Sequence, residues 1–250
     1  MRTRVIRTGK DLKVIVINGF MSEQSTDVTD WLSVVDMNFP KAAVLHCDWD
    51  ASNYKRLVTN WMTPELEKPT PGGLLLKIIS PTIVGRDLFK RKSAIAATRK
   101  EWITAMENAK LAGVQLANYI DRNPSKYILM GHSLGSRVIF NCLVNMKTYD
   151  RVMGAFLLGG AVGAESPWGN IAMRKSIRIF NCYSDNDMVL RGLYRAGTLF
   201  ADTPVGIKPI EQGYNNQIFN INMSRIVRGH TDYKKAEVGN LIKTYTSVPR

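Results

Sequence analysis

The chain is short of cysteine: Cys47, Cys142 and Cys182 are an odd number in 250 residues, lie far apart and show no C-x-x-C spacing. Neither a disulfide framework nor a zinc knuckle fits that pattern. Long apolar runs are also missing, and none approaches the roughly 18 residues of a membrane helix. Val14-Ile15-Val16-Ile17, behind Lys10, Asp11 and Lys13, is too short and too interrupted for the core of a signal peptide, and is read as a strand. The expectation is a cytoplasmic chain, or one exported without a cleavable leader. G-x-G-x-x-G and the P-loop pattern are absent, as are internal repeats and low-complexity segments. No cofactor is expected. Acidic residues are scarce beside basic ones, 21 Asp+Glu against 34 Lys+Arg, for a net charge of +13. Such a balance points to an anionic partner of some kind without naming it.

What is present is ordinary globular composition, 45% hydrophobic and 9% aromatic, at a length that suits one large domain spanning 1–250. Short aliphatic runs alternate with amphipathic stretches, the pattern of a mostly parallel sheet with helices on both faces. Strands are predicted at 13–18, 42–47, 127–130, 152–159, 176–183 and 217–223, and helices at 99–121, from just after Ser133 to about 146, and at 232–245. The stretch ahead of the first long strand has room for one short edge strand at most. Residues 63–95 break the rhythm: Pro64, Pro69, Pro71 and Gly72-Gly73 lead into an apolar run, then a basic stretch. An excursion of this length reads either as a lid or cap over a site or as a surface insertion with a small core of its own.

Gly131-His132-Ser133-Leu134-Gly135 matches G-x-S-x-G, with a strand-like run before it and a helix-like run after it. A nucleophile elbow needs this context, because a sharp strand-to-helix turn lifts the serine Oγ above the sheet and flanking glycines leave room for it. A serine hydroxyl also needs a base, and the chain has only three histidines. His132 sits in the elbow, poorly directed to act as base, and His46 comes before the serine. His230, behind the last strand, occupies the position that the order Ser, acid, His requires. For the acid, Ser184-Asp185-Asn186-Asp187-Met188-Val189 offers two carboxylates. Asp187 is preferred and Asp185 is the alternative, which could instead cap the following helix. The oxyanion would be held by the backbone N–H of Leu134 and by that of Phe20, in Asn18-Gly19-Phe20. A metal at His46-Cys47-Asp48 is disfavoured, since consecutive strand residues point to opposite faces.

With Ser133, Asp187 and His230 in this order, the chain resembles an α/β-hydrolase. More narrowly, it resembles the domain-of-unknown-function hydrolases found in transmembrane and coiled-coil domain-containing proteins. The segments that carry the resemblance are residues 102–120, 131–139, Phe156-Leu157-Leu158-Gly159-Gly160-Ala161 and 181–190. Asn18-Gly19-Phe20 resembles the His-Gly-Phe of many esterases, with Asn in place of His. The resemblance implies a serine hydrolase of the lipase or esterase kind acting on a small-molecule or lipid ester. Against it stands a non-catalytic module for an anionic membrane or acidic partner. Nucleic acid is the less favoured partner, because aromatic residues do not interleave the basic clusters.

Overall fold

The aliphatic runs do form strands. In a computed structural model of the chain, the structure describes residues 1–19, 28–50, 87–175, 177–194, 202–211 and 216–246. Seven strands lie in one sheet: β1 (Arg2–Arg7), β2 (Lys10–Ile17), β3 (Ala42–Asp48), β4 (Lys126–His132), β5 (Val152–Leu158), β6 (Arg178–Tyr183) and β7 (Ile218–Asn222). Their order is β1-β3-β2-β4-β5-β6-β7, all parallel except β1, which runs antiparallel to β3 at one edge. That edge strand presents exposed Arg2 and Arg4, and charge on an outer strand discourages pairing with another chain.

The helices are α1 (Leu32–Asn38), α2 (Asp87–Arg122), α3 (Leu134–Asn145), α4 (Trp168–Lys175) and α5 (Ala236–Thr246). Side-chain alternation along the strands feeds two cores. Ile15 and Ile17 of β2 face one side, where Ala105, Ala109 and Leu116 of α2 meet Val138 and Leu143 of α3. Val14 and Val16 face the other side, against Val34 and Val35 of α1 and Val238 and Ile242 of α5.

Two elements differ from the sequence expectation. Helix α2 starts at Asp87, well before 99, so residues 87–95 of the suspected excursion are helical and continuous with it. Residues 63–86 lie outside the described residues. The expected helix at 232–245 is split into a 3-10 turn, Asp232–Lys234, and α5, with Lys235 extended between them. Around the break, the Asp232 carboxylate accepts the amides of Arg228 and Gly229 at 3.0 and 3.1 Å and pairs with the Lys235 ammonium at 2.6 Å.

Topology already places a crevice. Strands β2 and β4 pair side by side, with Ile15 against Leu129 and Val16 against Met130. The chain leaves them toward opposite sides of the sheet, to β3 and to β5 respectively. In open α/β sheets such a reversal leaves a cleft at the carboxyl ends of the strands, where ligands bind. Asn18-Gly19 follows β2 and Ser133 follows β4 at that point.

Candidate active site

Ser133 has φ 55° and ψ −121°, the only positive φ at a non-glycine residue among the described residues. Holding a side chain in such a sparsely populated region costs about 1–3 kcal/mol, and it persists only where the surroundings enforce it. Here they do. A Cβ on Gly135 would collide with the Ile17 carbonyl oxygen, and one on Gly131 would lie 2.6 Å from the Gly135 carbonyl carbon. The turn therefore closes against β2 only because both flanking residues lack side chains. The Ser133 amide is tied to the Leu158 carbonyl at 3.0 Å, and the Ser136 hydroxyl donates to the Gly131 carbonyl at 2.9 Å. Helix α3 begins at Leu134, directly behind the serine, so its free N–H groups and dipole face any negative charge that develops there.

Of the two candidate acids, the structure brings Asp187 to His230. The Nδ1–H of His230 donates to Asp187 Oδ2 at 2.7 Å, with Asp187 fully buried and His230 nearly so. The other Asp187 oxygen accepts the Leu190 amide at 3.0 Å, so this carboxylate both holds the imidazole and caps the turn after it. Asp185 is exposed and accepts instead from the Ser224 hydroxyl at 3.4 Å. Ser184 secures the acid loop: its hydroxyl donates to the Val227 carbonyl at 3.0 Å and accepts the Asn186 amide at 3.2 Å. With the proton of His230 on Nδ1, the lone pair of Nε2 is left for a hydroxyl.

His132 has a use that the sequence reading did not assign. Its Nε2–H donates to the His230 backbone carbonyl at 2.7 Å, and the two rings lie 4.7 Å apart between centroids. The residue next to the serine thus pins the loop that carries the base. Burial holds the His132 imidazole well below its ordinary pKa, and the nearby His230 ring and Lys234 charge push it the same way. It is neutral at pH 7 and adds no positive charge beside His230.

On the far side of the elbow, a Cβ on Gly19 would overlap Ser133 Cβ and the His132 carbonyl and lie 3.0 Å from the Leu134 nitrogen. The end of β2 is therefore pressed against both the serine and the Leu134 N–H. Phe20, assigned the second oxyanion donor, lies outside the described residues. The tryptophan and lysine side chains around Asn18, treated below, carried no sequence signal. At the rejected metal cluster, burial pushes the Cys47 thiol up to about 12. Among the described residues no group of three metal-ligating side chains converges, and no helix is long and apolar enough to cross a membrane.

The strand order, the reversal at β2 and β4, and the elbow at the end of β4 are those of an α/β-hydrolase. A family described as "Protein of unknown function (DUF726)" matches residues 90–246. Among curated relatives, an "Uncharacterized membrane protein F35D11.3" of Caenorhabditis elegans is 37% identical over 143 residues, which cover 54% of this chain and 23% of that protein. A "Probable lipase MIL1" of Saccharomyces cerevisiae is 33% identical over 144 residues, covering 54% and 13%. The chain thus spans less than a quarter of the length of these relatives. Among solved structures, esterase PE8 aligns over 99% of this chain and 98% of its own, at 11% identity and a TM-score of 0.46.

Proposed function

Because the chain belongs to the DUF726 family, defined without a known activity, its chemistry must be argued from its own site, and we propose a serine hydrolase acting on carboxylic esters. The observation that carries this reading is a strained serine at a strand-to-helix turn, together with a buried His–Asp pair on the two later loops whose histidine is held through its backbone carbonyl by His132, the residue next to that serine. In the proposed cycle Ser133 Oγ attacks the ester carbonyl carbon while His230 Nε2 takes its proton. The carbonyl oxygen becomes an oxyanion held by the Leu134 N–H, with the Phe20 N–H as the second donor. Collapse breaks the bond to the alcohol oxygen, which leaves with the proton from His230. Water then repeats the sequence on the acyl-serine, releasing the acid and restoring Ser133. Asp187 keeps the proton of His230 on Nδ1 and stabilises the imidazolium without taking that proton. The relative named a probable lipase supports an ester substrate.

A fluorophosphonate probe, which bonds phosphorus to an activated serine oxygen and expels fluoride, is expected to label the folded protein and to lose its target in Ser133→Ala. Folded protein that stays unlabelled would overturn the reading. It would favour the alternative, a non-catalytic module on this scaffold for an anionic membrane surface. The exposed Arg2, Arg4 and Lys10 and the relatives named as membrane proteins support that alternative.

A further inference from the structure

Asn18 directly follows β2 and is 5% exposed. Three donors converge on it. Its side-chain oxygen accepts Trp31 Nε1–H at 2.7 Å and a Lys234 Nζ proton at 3.4 Å, while its backbone carbonyl accepts Trp49 Nε1–H at 2.9 Å. Lys234 is unusual for a lysine in being buried, with its side chain 8% exposed. Its ammonium pairs with the Asp30 carboxylate and lies 5.4 Å from the centre of the Trp31 ring. Burying a lysine is costly unless its charge is compensated, and here an ion pair, an amide oxygen and an aromatic face supply the compensation. The stem of Lys234 starts four residues after His230. Asn18 is followed by Gly19, which sits against Ser133 and the Leu134 nitrogen. One side chain therefore bridges the loop that carries the base to the end of the strand that walls the oxyanion side. Ion-pair partners alone would have served at the surface; this ammonium instead lies against Asn18, whose side-chain and backbone oxygens two indole N–H donors already hold in place.

We propose that Lys234 and Asn18 are positioning residues that lock the base loop to the end of β2, so that the base and the oxyanion donors keep one spacing. Preorganised donors act on the transition state, and a small displacement of them lowers turnover more than ground-state binding. The proposal rests on the serine hydrolase reading. Hydrolysis of p-nitrophenyl butyrate and the rate of fluorophosphonate labelling, measured on the full chain, test it. Lys234→Met keeps the stem over Trp31 and removes the charge and the donor. It is expected to lower kcat and the labelling rate by about 10- to 100-fold with KM within about twofold, and Lys234→Arg to recover most of the loss. Trp31→Phe keeps an aromatic ring at the site and removes one donor to Asn18, with an expected loss of about 3- to 10-fold; it decides the question alone if Lys234→Met does not fold. Unchanged kcat and labelling in folded variants, or a loss confined to KM and not restored by Arg, would overturn the proposal. Wild-type protein that is not labelled at Ser133 would instead overturn the hydrolase reading beneath it.

Discussion

The two ends of the sheet solve opposite problems. At the carboxyl ends of β2, β4 and β6, and in the loop after β7, the chain buries Asn18, His132, Ser133, Ser184, Asp187 and His230, side chains that are expensive to desolvate and must each find a partner. On the α1/α5 face, the middle and far half of the sheet is filled by an aromatic row. Phe39 meets Phe156 edge-on at 6.0 Å, Phe156 stacks on Phe180 at 4.4 Å, and Phe180 stacks on Phe219 at 4.9 Å. The Arg178 guanidinium lies 5.1 Å from the centres of both Phe180 and Phe219. The aromatic row stabilises without needing any particular proton in place, whereas the polar end is useful only if every proton is. Stability and chemistry are therefore separable by region of one sheet, and substitutions in the two regions should fail in different ways.

The largest effect is expected at the polar end. Asp187→Asn preserves shape but removes the acceptor that fixes the His230 tautomer, and kcat on an activated ester should fall by about 10³- to 10⁴-fold. The melting temperature should change far less, since the Asn oxygen can still accept the Leu190 amide. Steady-state kinetics beside a thermal melt checks both; a variant that keeps its activity would assign the acid elsewhere, with Asp185 the first to test. At the aromatic end the signature should be reversed. Phe156 is 1% exposed, and Phe156→Ala removes a ring that meets Phe39 edge-on and stacks on Phe180, at a cost of about 3–5 kcal/mol of stability. The surviving folded fraction should be labelled by fluorophosphonate as fast as wild type. Denaturant melts and labelling rates separate the two quantities, and a slowed labelling rate in folded protein would mean that the two ends are coupled.

Much of this separation is legible in the residues. Strands buried on both faces read as continuous aliphatic runs, so six of the seven stand out, and the elbow announces itself because its glycines are forced by close contact, Gly135 with the Ile17 backbone and Gly131 with the Gly135 backbone. The preference for Asp187 over Asp185 rests on a stretch, 184–189, in which Ser184 ties the acid loop to the Val227 carbonyl through its hydroxyl. Less was legible where the cause is not local. Helix α2 begins at Asp87, but Lys90-Arg91-Lys92 offers no apolar stripe to reveal its first turns. Helices α1 and α4, of 7 and 8 residues, are too short for a periodicity to accumulate. The link from Lys234 to Asn18 joins positions 216 residues apart, and His132, dismissed as a base, works through a backbone carbonyl that only the folded loop brings to it.

The smallest expected effect concerns a histidine that breaks the pattern at the polar end. His46, on β3, is buried, and neither ring nitrogen has a hydrogen-bond partner among the described residues. Burial lowers its pKa below the ordinary value; Asp48 and Asp30 oppose this, while Arg4 and Lys234 add to it. The sign follows directly. Above about pH 6.5 the imidazole is neutral in the folded and unfolded chain alike, and it adds no pH dependence. As pH falls below that point, the unfolded chain takes up a proton that the folded chain resists, and stability drops by at most about 1.4 kcal/mol per pH unit from this group until the folded pKa is reached. His132, shifted the same way, contributes a parallel loss. His46→Leu should therefore flatten the acid side of the stability profile without abolishing its slope. It should also raise stability at pH 7 by about 1 kcal/mol, because an unpartnered buried polar group is replaced by an apolar one of similar size. Melts of wild type and variant from pH 7.5 to pH 5 measure the difference. Parallel curves would mean that folded His46 accepts the proton after all, and a loss of stability at pH 7 would mean that its nitrogens are satisfied in solution.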